Sequence, residues 1–409
     1  MQTQAHRQQA LDRPVRSAMV ERLLYFCPVS SGGIADYAHA QATSLAAQSV
    51  KVTLLCASNW PHPQNTAYQQ LRELPVLGQA NKLPRWISRL RFVRHLLTSY
   101  FRLRRIIVRE EFQRVLLASY IEYLAPVWAP RLRSLSRSGV VFGAIVHDPV
   151  RDHVVGPSWW HRWSIVEGYS FLREAFVHAD IDLGMNRHHP DLRTTVIPHG
   201  PYDFPEPTKS RRDIRDELSL PQDSVVLLSF GNIRDAKNLD RVLQAMVDFN
   251  SIFLIVAGSE SISGQKSSSY YQELAKRLGI ANRCRWLTKF IEPNMAANLF
   301  AGADFALVTY SSSFRSASGV MNIAARYRKP VLASSGASAL RAAVERYELG
   351  VFVEPDSASA IAGGLTTLLR ACPVGDWDAY LRDNSWVTNA RQVMNAMDLA
   401  RFSVRLPLY

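Results

Sequence analysis

Residues 224–248, SVVLLSFGNIRDAKNLDRVLQAMVD, decide the fold. Ser224–Phe230 is apolar enough for a strand buried on both faces, Gly231–Lys237 is a polar loop, and Asn238–Asp248 carries the apolar spacing of a helix. Strand, loop and helix in that order open a parallel βαβ unit. The pattern continues downstream, with strands expected at Ile252–Ala257, Cys284–Leu287, Asp304–Val308, Pro330–Ala333 and Gly350–Val353, and helices at Tyr270–Leu278 and Val320–Arg328. The same order stands upstream: strand Arg22–Pro28, a glycine turn at Ser30–Gly33, helix Ile34–Gln48 and strand Val50–Cys56. Further strands are expected at Arg114–Ala118, Val140–His147 and Thr194–Pro198.

PYDFPEP (201–207) separates the two runs and reads as a linker. The expected organisation is a flexible tail (1–20), a Rossmann-like domain (21–203), a second one (204–375) and a helical segment (376–409) packing back on the first domain. Two such domains leave a cleft between them, and open parallel sheets place ligands at the carboxyl ends of their strands.

The 409 residues are 47% hydrophobic and 20% charged, which excludes a mainly disordered chain. Cys27, Cys56, Cys284 and Cys372 are scattered, without a CxxC pair or a Cys/His pair at zinc spacing. That argues against a disulfide framework or a structural zinc and for a reducing cytoplasm. Lys and Arg outnumber acidic residues 48 to 35, a formal charge of +13, so the surface expects an anionic partner. No nucleic-acid module is visible, so nucleic acid is not the expected partner. No apolar run is long enough to span a bilayer, and no apolar signal core precedes the first strand. The expected location is cytoplasmic, soluble or peripheral on the inner face of the membrane.

Five stretches could carry chemistry. SSGGIADY (30–37) joins a strand to a helix N-terminus, where Gly32 and Gly33 let backbone approach a ligand; it also serves as an ordinary tight turn. GNIRDAKN (231–238) offers Arg234 as a planar fork and Lys237 as a point charge for phosphate oxygens; without a ligand it is an exposed basic loop. SSSFRSASG (311–319) precedes a helix, so Ser318 and Gly319 provide a cap and unpaired N–H groups, and Arg315 adds charge. His147 and Asp148 stand at a buried strand's end, suited to proton transfer or to a sugar hydroxyl, while His199 in IPHG closes the first domain. Finally, KLPRWISRLRFVRHLLTSYFRLRR (82–105) holds eight basic and no acidic residues interleaved with aromatic and aliphatic ones. Such a helix, with Arg85, Arg89, Arg91, Arg94, Arg102, Arg104 and Arg105, suits an anionic membrane surface; the alternative is a solvated face on its own domain.

These loops, in this order, resemble the GT-B glycosyltransferases, specifically the large family-4 group that uses nucleotide sugars, over nearly the whole chain. FGNIRDAKNLDRVLQAM resembles the FGxIRxxKxxxxLxxA signature, and GGIADY, VHDP, VIPHG, LIVAGS and SGV…KPVLAS follow the family's order. NSWVTNARQVM resembles its closing helix, which crosses back to the first domain. The resemblance implies two Rossmann-like α/β domains facing across a cleft, the first binding acceptor and the second donor. Arg234, Lys237 and the N–H groups of Ser318 and Gly319 would hold the donor diphosphate, with Gly231, Gly32 and Gly33 at close approach. His147 would contact the transferred sugar, and Asp36 with Tyr37 would face the acceptor. No metal and no cofactor is implied, because cationic side chains would stand in for a divalent ion.

One departure stands out. Many members carry Glu-x7-Glu ahead of the proline matching Pro330; those positions here are Arg315 and Ile323. Retention is the family expectation, and an inverting reaction would need Asp36 or Asp148 as base. The expected function is transfer of a sugar to a glycan or a lipid-linked, membrane-presented acceptor in cell-surface polysaccharide or glycolipid assembly. The alternative is an inactive GT-B-like protein serving as partner subunit or binding module.

Overall fold

The computed structural model describes residues 22–77, 84–119, 121–147, 156–185, 189–260, 265–315 and 317–404. The expected tail 1–20, Lys82 and Asp148 lie outside the described residues, as does the side chain of Arg85.

Seven strands form the first sheet: β1 (Arg22–Cys27), β2 (Lys51–Ala57), β3 (Gln69–Leu74), β4 (Arg114–Leu117), β5 (Val141–Ile145), β6 (Glu174–Val177) and β7 (Arg193–Val196). They lie in the order β3-β2-β1-β4-β5-β6-β7, all parallel. The intervening helices are α1 (Gly33–Ala47), α2 (Arg85–Arg109), α3 (Ala125–Arg137) and α4 (Ser158–Tyr169). The second sheet contains β8 (Val225–Phe230), β9 (Ile252–Ala257), β10 (Cys284–Leu287), β11 (Phe305–Thr309), β12 (Val331–Ser334) and β13 (Gly350–Phe352). Its order is β10-β9-β8-β11-β12-β13, again all parallel. Around it run α5 (Arg211–Glu217), α6 (Leu239–Ala245), α7 (Ser268–Arg277), α8 (Pro293–Gly302), α9 (Gly319–Arg326), α10 (Ala339–Arg346) and α11 (Ala358–Arg370). Two more helices, α12 (Trp377–Asp383) and α13 (Trp386–Val404), follow.

Parallel sheets must be covered on both faces, which is why β1, β4 and β8 are almost unbroken apolar runs. On one face of the first sheet α1 and α13 bury Tyr37, Ala38, Leu45, Val393 and Met397; on the other, α2, α3 and α4 bury Leu96, Tyr100, Trp128 and Tyr169. Not all of the C-terminal segment packs on the first half, as 376–409 was expected to. Trp377 and Tyr380 of α12 belong to the second sheet's core, and the crossing begins at Trp386. The strand order reverses between β1 and β4 and between β8 and β11, so each sheet opens a crevice above those carboxyl ends.

Candidate active site

Five loops meet in the cleft, each leaving the carboxyl end of a strand, and the α1 N-terminus joins them. Gly32 precedes α1 at φ 71°, a left-handed backbone open to glycine and strained for other residues. Gly33 follows in close approach to the Tyr202 hydroxyl. Gly231, at φ 84°, likewise turns the chain after β8 beside the Lys237 ammonium.

The loop after β8 is held from several sides. Asp235 accepts from the Lys266 N–H (3.0 Å) and the Tyr271 hydroxyl (3.0 Å), Thr309 Oγ1 donates to the Lys237 carbonyl (3.1 Å), and the Ser311 N–H donates to the Ala236 carbonyl (2.9 Å). Its two cations are thereby placed together. Lys237 Nζ donates to the Phe230 carbonyl, and burial with the neighbouring Arg234 charge pushes its pKa from 10.5 down to about 7. Arg234 lies against the Phe314 ring, and its buried Nε has no hydrogen-bond partner. A buried, unpartnered guanidinium nitrogen beside a half-charged lysine is a site built for an anion.

Three histidines form the opposite wall, packed around the buried Tyr37 with ring centroids 4.7 Å (His147), 5.5 Å (His178) and 5.0 Å (His199) away. His147 Nε2 donates to the Ala118 carbonyl (2.9 Å), leaving Nδ1 as acceptor. His178 Nδ1 donates to the Ile197 carbonyl (3.1 Å), so the buried, unpartnered Nε2 is an acceptor as well. Burial and mutual repulsion hold His178 far below the usual range, burial and the His199 charge push His147 to about 4, and burial takes His199 to about 4. All three are neutral at pH 7.

Arg234 and the three histidines line one cavity of about 580 Å³, together with Gly33, Arg315 and Gly319; Lys237 is buried beside Arg234 and is not part of its lining. Ser318 does not line it; its Oγ accepts from the Met321 N–H (3.1 Å) and meets the Tyr310 hydroxyl (2.8 Å), so that side chain is committed to capping α9. Tyr37 reaches the cavity with its ring while its hydroxyl accepts from Asn389 of α13 (3.0 Å). Asp36 is exposed and stands 3.5 Å from His62, lining a neighbouring, more apolar cavity of about 370 Å³ that shares Tyr202 and Asn232 with the first. Among the described residues, no group of three or more His, Cys, Asp or Glu is arranged to hold a metal.

The sequence reading missed His178 because β6 is only four residues long and carries a buried Glu174, which breaks the apolar signature. The signal was a histidine at a strand end, as for His147.

A family model described as glycosyl transferases group 1 matches residues 210–391. Those residues are similar to the group-1 glycosyltransferases. A D-inositol 3-phosphate glycosyltransferase of Mycolicibacterium paratuberculosis is 31% identical over 161 residues, 39% of this chain and 36% of that protein. A second, from Catenulispora acidiphila, is 30% identical over 179 residues, 41% of each. The match thus spans well under half the length of these relatives. The whole architecture is GT-B: a glycosyltransferase from Rickettsia africae superposes with a TM-score of 0.66 at 13% identity, covering 93% of this chain and 98% of that one. HepE of Anabaena, in complex with UDP and glucose, gives 0.65 at 15%, covering 93% and 100%.

Proposed function

We propose that the protein transfers a sugar from a nucleoside-diphosphate sugar to an acceptor presented at an anionic membrane surface. The observation that carries this reading is the Arg234–Lys237 pair, two neighbouring cations after β8, with Arg234 lining a cavity that has no Asp or Glu among its described lining residues. A diphosphate supplies the missing charge. As the glycosidic bond breaks, negative charge builds on the leaving nucleotide, and preoriented cations stabilise it at that moment. The sugar then lies against the neutral wall, where His147 Nδ1 and His178 Nε2 accept from its hydroxyls. Asp36 and the second cavity stand on the acceptor side. HepE binds UDP and glucose, and the group-1 relatives are named for transfer to an inositol phosphate; both fit this reading.

The membrane component rests on α2. Its buried stripe is Leu96, Tyr100, Leu103 and Ile107; a second apolar stripe at helical spacing, Trp86, Leu90, Val93, Phe101 and Val108, is exposed. Arg89, Arg91, Arg94, Arg102, Arg104 and Arg105 are exposed along the same helix. Exposed aromatic residues among arginines fit a lipid headgroup layer. No helix among the described residues is long and apolar enough to cross a membrane.

The test is release of nucleoside diphosphate from a panel of nucleotide sugars, with and without vesicles of total bacterial lipid. Release that requires both Arg234 and Lys237 supports transfer. Nucleotide binding without release under any combination would replace it with the non-catalytic binding module.

A further inference from the structure

Three helices cover one face of the first sheet, and all of them start on the cleft side. α2, α3 and α4 each lead from the carboxyl end of one parallel strand back to the amino end of the next, so their first turns stand at the carboxyl edge, where the cleft opens. The first two turns of each leave apolar side chains in solvent: Trp86 and Leu90 in α2, Val127 in α3, and Trp159 and Trp163 in α4. α3 packs between the other two, and with about 10 Å between packed axes α2 and α4 stand roughly 20 Å apart.

The α4 pair is the least expected of these. Trp159 is 59% and Trp163 46% exposed, one turn apart, with ring centroids at 6.5 Å and planes within 25°. Trp160 points inward instead: its Nε1–H donates to the Tyr123 carbonyl (2.9 Å), and the Ser164 hydroxyl donates to the same oxygen (3.1 Å). These bonds fix the rotation of α4, so the outer pair cannot turn into the core. Indole surface left in water costs free energy, and a covering apolar partner removes that cost. Charge names the partner. α2 carries eight arginines, α3 three and α4 one, and the only acidic residue in the three helices, Glu167, is held by Arg133 (2.8 Å). An indole, apolar in body with one N–H, suits the boundary between acyl chains and headgroups, and arginines around it meet anionic headgroups.

Resting on the membrane reading of α2 above, we infer that Trp159 and Trp163 insert into the same anionic bilayer, making α4 a second anchor. A single surface helix lets the protein roll about that helix's axis. Two anchors with Val127 between them fix a plane and hold the cleft-side edge of the first domain against the lipid. An acceptor embedded in the membrane then reaches the cleft without leaving the headgroup layer.

The experiment uses the full chain and vesicles of phosphatidylcholine with phosphatidylglycerol, in matched sets with and without brominated acyl chains, which quench only indoles that reach them. Trp86→Phe removes the α2 fluorophore, and in that background quenching should persist. Adding Trp159→Phe and Trp163→Phe should remove most of it, while the phenyl rings keep the vesicles bound. Trp159→Ser with Trp163→Ser should weaken vesicle binding at least roughly tenfold, given the apolar area withdrawn, with the Tm and nucleoside diphosphate binding unchanged. Quenching that survives loss of both indoles, or a serine variant that binds vesicles as tightly as the wild type, overturns the inference. The α2 reading is judged separately, by the Arg89→Glu, Arg91→Glu, Arg94→Glu variant. Dimers or dextran binding that the serine variant loses, in place of lipid quenching, would make the pair a contact between copies or a sugar platform and overturn the inference as well. A wild type that binds no vesicles overturns both readings.

Discussion

Lys237 makes donor binding a proton-linked event. In the free protein its ammonium is desolvated and repelled by Arg234, so it titrates at about 7. A bound diphosphate reverses the sign of the local field and returns the pKa toward 10.5 or higher. At pH 8 only about a tenth of the free sites are charged, so binding must take up roughly 0.9 proton per site. Affinity should fall about tenfold between pH 6 and pH 8. The assay is calorimetry of a nucleotide sugar in buffers of differing ionisation enthalpy, a phosphodiester being chosen because it does not itself titrate in this range. Lys237→Gln should abolish both the uptake and the slope. The same depression has a stability consequence. The folded state binds fewer protons than the unfolded one between pH 7 and 10.5, so the lysine's burden on stability is greatest below pH 7 and fades as pH rises. At pH 7 that burden is at most about 4 kcal/mol, since part of the side chain still touches solvent. Lys237→Met should therefore raise the ligand-free Tm while removing nucleotide binding, even after about 1 kcal/mol lost by the orphaned Phe230 carbonyl. Flat affinity from pH 6 to 8 with no proton uptake would refute the reasoning.

Three further outcomes follow from the geometry. His147 and His199 have folded values of about 4 against 6.5 unfolded, so their stabilising contribution is complete above pH 6.5 and is lost as pH falls toward 4, up to about 3 kcal/mol each; urea unfolding should show His147→Asn and His199→Asn variants less acid-labile than the wild type, and equal acid slopes would contradict the neutral cluster. Replacing Arg89, Arg91 and Arg94 with Glu should abolish co-sedimentation with anionic liposomes at low salt, each arginine contributing about 1 kcal/mol; unchanged sedimentation would make these charges a solvated face only. A Cβ at Gly200 would overlap the Trp386 ring that seats α13, so Gly200→Ala should cost about 1–3 kcal/mol in thermal unfolding, and an unshifted Tm would mean the crossing helix is not held there.

The buried strands were legible in the sequence because a parallel sheet covered on both faces demands unbroken apolar runs. Ile252–Ala257 and Cys284–Leu287 fall where the pattern put them. QQLREL (β3) was missed because an edge strand tolerates Arg72 and Gln70, which hydrogen-bond each other in place of packing. The loop cations were legible as residue types at spacing, but what fixes their loop was not. It depends on Thr309, Ser311 and Tyr271, all distant in sequence, fixing the loop. Nor was the partner of Tyr37 legible: Asn389, over three hundred residues away, donates to its hydroxyl. Likewise a row of apolar residues in α2 does not say which stripe is buried, and the structure shows two.

The central claim is that Arg234 and Lys237 hold a donor diphosphate. The most direct measurement is a thermal-shift titration with UDP, GDP, ADP, dTDP and CMP on the wild type and on the Arg234→Ala, Lys237→Ala double variant. Stabilisation by one nucleoside diphosphate, and its loss in a variant that still folds, is the predicted result. No shift with any nucleotide, or an equal shift in both proteins, would contradict it.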